Sequence, residues 1–218
     1  MYRDQMEKEK HLLEKNVNKI LTSNNSKTII ESYNQAKQHL EKIYNLALRQ
    51  EKEKKHLRRC CFTGHRPEKL LISEKEAKDL LQKKIYDQIV WHGKREFITG
   101  MSRGVDIWAA EIIMEAKKDF SDAAGGIKLI AALPYLGFED KWDQEWKNRY
   151  SRVIREADHV IEISQKYCGG CYQRRNEWMV DHSSLVIALW NGKPSGTKNT
   201  IDYAIKQHVK VENCLDER

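Results

Sequence analysis

The sequence predicts an α/β fold: an open parallel sheet of about five strands with helices on both faces, preceded by an N-terminal helical extension. After residue 58, short apolar segments alternate with amphipathic ones, which is the pattern of successive β-α units. The longer apolar segments lack polar-apolar alternation, as expected of parallel strands buried on both faces. Residues 1–58 contain neither glycine nor proline, which favours long helices. We therefore divide the chain into an extension, 1–58, and an α/β domain, 59–218.

The extension is predicted to form two helices joined by a polar turn over residues 22–26. The second helix is expected to begin at a capping box of Thr28 and Glu31. Its apolar residues recur in steps of four and three, which is a heptad pattern: Ile29, Tyr33, Ala36, Leu40, Ile43 and Ala47. This stripe predicts a hairpin, self-association or packing on the α/β domain, and a solvated charged spacer is the alternative.

The net charge is +7, and the extension carries most of it. Residues 1–58 hold 13 basic and 8 acidic side chains, a net charge of +5, which gives a mild preference for anionic partners. No apolar segment reaches 18 residues and the first residues are polar, so neither a membrane span nor a secretion signal is predicted. Five cysteines, with Cys60 and Cys61 adjacent, suit a reducing cytoplasm better than a disulfide framework.

Within the α/β domain, strands and helices are predicted in strict alternation. The strands are placed at Cys60–Phe62, Phe97–Ile98, Ile127–Leu133, His159–Ile163 and Leu185–Leu189. A capping box of Ser73 and Glu76 opens the first helix, which runs to about Trp91. The other helices are placed at about Val105–Lys118, Glu139–Glu156, Cys171–Asp181 and Asn199–His208.

A ligand site is expected beyond the carboxyl ends of these strands, where helix amino termini point. The strand-to-helix loops there combine glycines, hydroxyl groups and cations: Thr63, Gly64, His65, Arg66, Gly100, Ser102, Arg103, Gly104, Pro134, Ser195, Gly196 and Thr197. This combination predicts a phosphate or pyrophosphate carried by a nucleotide, and ordinary turn residues are the alternative. Neither the Walker A pattern nor G-x-G-x-x-G occurs, which argues against a P-loop NTPase or a dehydrogenase.

Four phrases in the domain resemble the YpsA/YoqJ-like branch of the SLOG superfamily, which takes its name from the Smf/DprA and LOG proteins. They are TGHR at Thr63–Arg66, SRGVDIWAAE at Ser102–Glu111, RNEWMVD at Arg175–Asp181 and SGTKNT at Ser195–Thr200. The resemblance covers about residues 59–208 in motif order and spacing. It implies a Rossmann-like domain that binds a nucleotide or nucleotide-derived ligand at the strand ends.

The enzymes of this superfamily are the LOG phosphoribohydrolases, which cleave the bond between a base and ribose 5′-phosphate. Resemblance to their motifs implies phosphate binding by Arg175, Gly196 and Thr197, with Asn176 where those enzymes have lysine. Thr200 stands at the position of their catalytic glutamate. Because threonine cannot act as a carboxylate base, hydrolysis of the LOG type is not expected.

Three other carboxylates are candidates for catalysis: Asp106, Glu111 and Glu177. Asp106 lies at the start of the second domain helix, where it either accepts from a ribose hydroxyl or simply suits the helix dipole. Glu111 lies about a turn and a half further along and is expected to be an internal hydrogen-bond partner.

Two further patterns have structural explanations as well as functional ones. Cys168 and Cys171 form a C-x-x-C sequence without a second cysteine pair, so a glycine turn is favoured over zinc or redox chemistry. The stripe of Trp142, Trp146 and Tyr150 could stack a base but is more typical of the buried face of a helix.

The sequence thus predicts a cytoplasmic protein that binds a nucleotide, ADP-ribose or NAD-like ligand as a sensor or regulatory module, with no required cofactor and no metal. An N-glycosidic-bond hydrolase and a DprA-like nucleic-acid-binding protein are the alternatives. The expected partners are the small-molecule ligand and, through the extension, a second copy of the chain. Nucleic acid is a less favoured partner, and no membrane contact is expected.

Overall fold

The computed structural model describes residues 2–121 and 126–216. The chain forms two compact units, one ending at Lys55 and the other beginning at His56. The first unit is helical: α1 spans Tyr2–Thr22, and α2 spans Ser26–Leu57 and continues two residues into the second unit. No described helix is both long and apolar enough to cross a membrane.

Helix α2 begins at Ser26 rather than at the capping box predicted for Thr28. The Asn25 side chain accepts the backbone N–H groups of Lys27 and Thr28, at 2.9 and 3.3 Å. Asparagine is as good a cap as threonine, and it comes first along the chain. The start of α2 predicted from sequence was therefore wrong by one short turn.

The predicted heptad stripe of α2 divides between two sides of the helix. Ala36 is buried and Ile29 and Ile43 are half-buried, whereas Tyr33, Leu40 and Ala47 are exposed. The face turned to α1 also carries polar residues: Ser32 is buried, and His39 Nδ1 is hydrogen-bonded to the Glu9 side chain of α1. The two helices therefore form a hairpin, and part of the apolar stripe of α2 has no partner within it.

The second unit contains a single six-stranded sheet in which every pairing is parallel. Its strands are β1 (Arg59–Gly64), β2 (Glu96–Thr99), β3 (Lys128–Leu133), β4 (His159–Glu162), β5 (Leu185–Leu189) and β6 (Lys210–Asn213). The order across the sheet is β4-β3-β2-β1-β5-β6. The connecting helices are α3 (Glu74–Val90), α4 (Val105–Asp119), α5 (Gln144–Glu156), α6 (Cys171–Asp181) and α7 (Gly196–Lys206). The predicted α/β class is confirmed, but the strand count was one too low.

The core lies on both faces of the sheet, so neighbouring residues of one strand serve different layers. Cys60 and Phe62 of β1 pack with α3, α4 and α5, whereas Cys61 packs with α6 and α7. Burial raises the pKa of the Cys61 thiol to about 12, and both cysteines are free. These thiols therefore fill the core as small apolar groups.

Two helix starts in the second unit show how caps set boundaries. At α3 the predicted capping box is present: Ser73 and Glu76 exchange side chain-to-backbone hydrogen bonds. Helix α5 begins at Gln144, five residues after the predicted start. Its cap is Asp143, whose side chain accepts the Trp146 N–H at 3.0 Å.

The strand order changes direction at β1. Strands β2, β3 and β4 follow in sequence on one side of β1, whereas β5 and β6 lie on its other side. The loops leaving β1 and β5 therefore diverge from the carboxyl edge of the sheet. In open parallel sheets the crevice at such a point is where ligands bind.

Candidate functional site

A cleft of about 360 Å³ opens at this point, beyond the carboxyl ends of β1 and β5. The loops after β1, β2 and β5 and the first two turns of α6 form its walls. The residues that line it are Phe62, Thr63, Gly64, His65, Arg66, Lys69, Ser102, Asp106, Tyr172, Arg175, Asn176, Ser195, Gly196 and Thr197.

Arg175 of α6 is the central cation of the cleft, and only 4% of its surface is exposed. Its Nη2 donates to Ser102 Oγ at 3.1 Å, and its Nη1 lies 3.7 Å from Asp106 Oδ2. Nε and Nη1 have no hydrogen-bond partner among the described residues. A buried guanidinium normally satisfies its donors, so Arg175 retains capacity for an anion.

Asp106 of α4 lies beside the Arg175 guanidinium and is hydrogen-bonded to the loop after β2. Its Oδ2 accepts the backbone N–H of Ser102 at 3.1 Å. Burial raises the pKa of the Asp106 carboxyl, while the charge of Arg175 and the hydrogen bonds from Ser102 oppose this rise. Burial also lowers the pKa of Arg175, although an arginine stays charged at neutral pH.

The loop after β2 is shaped around the guanidinium. Thr99 Oγ1 donates to the Asp106 carbonyl at 2.7 Å and accepts the Met101 N–H at 3.2 Å. Met101 is buried in a left-handed conformation, with φ at +61°. A β-carbon on Gly100 would overlap Arg175 Nη1, so any other residue there would have to displace the guanidinium. Such a backbone persists only where its surroundings fix it.

The loop after β1 supplies a neutral imidazole and two rim cations. His65 is buried, and its Nε2 has no hydrogen-bond partner among the described residues. Burial lowers the pKa of His65, and the positive charges of Lys69 and Lys193 add to the effect. Arg66 and Lys69 are exposed at the rim.

The amino terminus of α7 closes the cleft on the β5 side. Ser195 caps this helix, and its Oγ accepts the Lys198 N–H at 3.3 Å. The N–H groups of Gly196 and Thr197 belong to the first turn, where a helix offers no backbone acceptor. Together with the helix dipole, these donors favour an anion.

Eleven of the fifteen binding residues predicted from sequence line the cleft, and four do not. Gly100 lies against Arg175, and Gly104 packs against the His65 carbonyl. Arg103 points elsewhere, to Glu68 at 3.3 Å and Asp143 at 3.8 Å. Pro134 is buried at the end of β3, outside the cleft.

Of the three candidate carboxylates, only Asp106 lines the cleft. Glu111 instead accepts from Arg149 at 2.7 Å and pairs with Lys78 at 2.8 Å, a network on the outer side of α4. Glu177 accepts from Gln173 at 3.0 Å. Glu111 is thus an internal hydrogen-bond partner.

Thr200 does not face the cleft. It is 1% exposed, and its Oγ1 donates to the Gly196 carbonyl at 2.9 Å and accepts from Asn176 Nδ2 at 2.9 Å. The position matched to the LOG catalytic glutamate is therefore occupied by a residue that ties α6 to α7. A hydroxyl one turn into a helix readily bonds to the preceding turn.

Sequence reasoning missed three lining residues: Phe62, Lys69 and Tyr172. Phe62 was missed because its sequence context indicates a buried strand. Lys69 was missed because it lies in a short 3-10 helix, Pro67–Lys69, that was not predicted. Tyr172 was detectable, since it follows Cys171 in the first turn of a helix whose amino end faces the strand ends. The described residues hold no cluster of His, Cys, Asp and Glu that could bind a metal.

The predicted stripe of Trp142, Trp146 and Tyr150 belongs to the packing, although Trp142 precedes α5 and contacts Tyr150 at 5.9 Å between ring centroids. Tyr150 is buried, and Trp146 lies 6.3 Å from Trp108 between ring centroids. The Arg149 guanidinium lies 4.4 Å from the Trp146 ring centre, which covers that ring with a cation. None of the three stripe residues, Trp142, Trp146 and Tyr150, lines the cleft.

Fold and cleft together define a Rossmann-like domain with a cationic crevice at its topological switch point. The chain belongs to the YspA SLOG family, whose family model matches residues 60–215. Helices α1 and α2 both lie outside this match.

Curated relatives support the assignment. The SPbeta prophage-derived protein YoqJ of Bacillus subtilis is 31% identical over 146 residues, covering 62% of this chain and 83% of that protein. A UPF0398 protein of Bacillus thuringiensis is 25% identical over 159 residues, covering 69% and 84%. For the UPF0398 protein SERP1017 of Staphylococcus epidermidis the identity is 26%, and the match spans only 57% of that protein.

A solved structure shares the fold. DNA processing protein A (DprA) of Streptococcus pneumoniae superposes with a TM-score of 0.51 at 17% identity, covering 70% of this chain but 48% of that one. DprA of Helicobacter pylori, solved for its single-stranded DNA binding mode, gives a TM-score of 0.49 at 19% identity and covers 77% and 73%.

Proposed function

We propose that the domain binds a nucleotide or nucleotide-derived anion, such as ADP-ribose or an NAD-like compound, and acts as a sensor or regulatory module. The observation that carries this proposal is Arg175, a buried cation at a solvent-open cleft, two of whose nitrogens have no hydrogen-bond acceptor among the residues that the structure describes. A phosphate oxygen would supply the missing acceptor. The first-turn N–H groups of α7 would bind the remaining oxygens.

The test is calorimetry of the full chain with AMP, ADP-ribose and NAD, comparing Arg175→Ala with Arg174→Ala. Arg174 is the matched control because it is the neighbouring arginine of α6 and lies outside the cleft. Losing Arg175 removes a charge-assisted interaction, so affinity is expected to fall by about 1.5–3 kcal/mol. Arg174→Ala should bind like the wild type.

Arg175→Ala also leaves Asp106 buried beside no cation, so thermal melting must accompany the titration. Arg175→Lys keeps the charge but not the planar donor pair, and an intermediate affinity is expected. If folded Arg175→Ala binds all three ligands with wild-type affinity, Arg175 is not part of the site.

Turnover is not expected. Among the described residues, Asp106 is the only carboxylate that lines the cleft, and it accepts from Ser102 and lies beside Arg175. A glycosidic-bond hydrolase needs a carboxylate placed beside the sugar carbon. Release of free base from nucleoside monophosphates and from NAD is the assay. Efficient release that Asp106→Asn abolishes would make the protein a hydrolase instead.

Single-stranded nucleic acid is the second candidate ligand, favoured by the net charge of +5 on residues 1–58. Such binding would weaken steeply with salt and would depend on the extension. Fluorescence anisotropy with an oligonucleotide at two salt concentrations, on the full chain and on residues 56–218, separates this case from nucleotide binding.

A further inference from the structure

Three tyrosines form a surface patch, the tyrosine patch, which the cleft residues do not explain. Tyr135 follows β3, Tyr167 lies between β4 and α6, and Tyr172 is in the first turn of α6. The ring centroid of Tyr135 lies 5.5 Å from that of Tyr167 and 6.0 Å from that of Tyr172. The hydroxyls of Tyr135 and Tyr172 are 3.3 Å apart. Three separate segments thus bring their rings to one place.

The patch is continuous with the cleft. Tyr172 lines the cleft itself, and Arg175 follows it by three residues on the same helix. Residues three apart in a helix project to the same side. The aromatic surface therefore begins beside the guanidinium and extends along the carboxyl edge of the sheet toward β4.

Packing against the core explains the positions of two of these three rings. Tyr135 and Tyr172 contact Phe138, at 6.1 and 6.4 Å between centroids, and so cover the edge of the core. Tyr167 is 71% exposed, and within the described part of the chain its ring meets only that of Tyr135, edge to face. Clustered exposed aromatic rings are unusual on a protein that has nothing to bind with them.

We propose that the tyrosine patch binds the base of the nucleotide whose phosphate lies in the cleft, an inference that rests on the function proposed above. Adjacent strands are about 4.8 Å apart, so the loop after β3 lies about 10 Å from that after β1. A phosphate at Arg175 and a base at Tyr167 would then belong to one extended ligand. Stacking on tyrosine accepts any planar base, because every base has a π face.

The test compares a probe that carries a base with a probe that carries none. ADP-ribose carries an adenine, whereas ribose 5-phosphate carries only the anion and sugar. Tyr167→Ala should weaken ADP-ribose binding roughly 5- to 100-fold, the range for one base stacked on an aromatic side chain. Binding of ribose 5-phosphate should not change. Tyr167→Phe should retain wild-type affinity for both, since the ring remains.

Trp91→Ala is the matched control. Trp91 is an aromatic residue exposed to a similar degree, at 76%, but it lies at the end of α3, near the amino edge of the sheet. Unchanged ADP-ribose affinity in Tyr167→Ala, or an equal loss for both probes, would overturn the base site while leaving phosphate binding intact. If the wild type binds neither probe, the proposed function fails and the base site fails with it.

Discussion

Gly100 and Arg175 meet so closely that a methyl group has no room between them. Gly100→Ala should displace the guanidinium and lower the affinity for a phosphate ligand by at least tenfold. The overpacking should also lower the free energy of unfolding by about 1–3 kcal/mol. Titration calorimetry and thermal melting measure the two effects.

Gly169→Ala is the control for this substitution, because a β-carbon there meets nothing within 4 Å. It should leave both affinity and stability at the wild-type level. Wild-type phosphate affinity in Gly100→Ala would mean that the position of Arg175 does not matter for the ligand.

His65 gives the domain a pH dependence of defined sign. Its pKa in the folded state lies below the usual 6.5, chiefly because burial disfavours the imidazolium. The unfolded chain therefore binds a proton first as pH falls below 6.5. The free energy of unfolding should be constant from pH 8 to 7 and decline below 6.5.

Urea titrations at pH 7.5 and at pH 5.5 measure this decline, and His65→Asn should reduce it. His208 serves as the control position, because it is exposed at the end of α7. An equal decline in His65→Asn and the wild type would assign the pH dependence to other groups.

At the scale of elements, α2 presents two different surfaces. One side meets α1 with Ala36, Ile43 and their neighbours. The other carries an outer stripe of large apolar residues, each more than half exposed: Ile30, Tyr33, Leu40, Tyr44 and Leu48. A hairpin with an unpartnered apolar stripe is a natural surface for self-association.

We expect the full chain to self-associate through this outer stripe. Leu40→Glu combined with Tyr44→Glu places charges in the stripe and should reduce the mass measured by sedimentation to that of a monomer. Gln38→Glu combined with Asn45→Glu adds the same charge to exposed positions outside the stripe and should leave the mass unchanged. The same mass for all three proteins would contradict the expectation.

Helices and strands were predicted well where the residue types themselves indicate burial. They were predicted poorly where polar contacts set the boundaries or the inner face of an element. The residues of β5, Leu185–Leu189, are all buried, and the predicted bounds match. Strand β6 was not predicted, because Val211 is its one apolar residue. It lies at the edge of the sheet and pairs with β5. The inner face of the hairpin was missed in part because Ser32 and His39 occupy it. Both residues lie on the inner face because of the distance between the two helices and the contact of His39 with Glu9. A search for periodic apolar residues does not detect such polar contacts.

The candidate site shows the same division. Loops rich in glycine and hydroxyl groups were correctly placed together, because β-α alternation fixes which loops share an edge. The contacts of Arg103 and Glu111 were not predictable, since each depends on a partner from a distant helix or loop. Tyr167 carries no sequence signal, because an isolated tyrosine in a loop becomes part of a patch only through Tyr135.

At the scale of the whole molecule, the second unit has its own core and should fold without the extension. The residue at which a truncated chain begins should affect its stability. Lys94 is buried, and its ammonium donates to the carbonyls of Leu57 at 2.7 Å and Arg59 at 3.3 Å, and to Ser184. A chain starting at His56 keeps both carbonyls, whereas one starting at Arg59 loses the first.

Residues 56–218 should therefore unfold cooperatively, and residues 59–218 should be less stable by about 1–3 kcal/mol, the cost of a buried ammonium with one acceptor fewer. Denaturant titration of the two truncated chains measures the difference. Equal stability of the two would show that water replaces the Leu57 carbonyl. Lys94→Met should bring the two chains to the same stability.

The walls of the cleft come from residues as far apart in the chain as Thr63 and Thr197. The cleft therefore exists only when these distant segments have folded together, so a ligand of the cleft would bind the folded domain and not the unfolded chain. A ligand that binds only the folded state raises the free energy of unfolding as its concentration rises. At a hundred times its Kd, the increase is about 2.7 kcal/mol. In a cell, where proteases remove unfolded chains, the lifetime of this protein would follow the concentration of any compound that occupies the cleft.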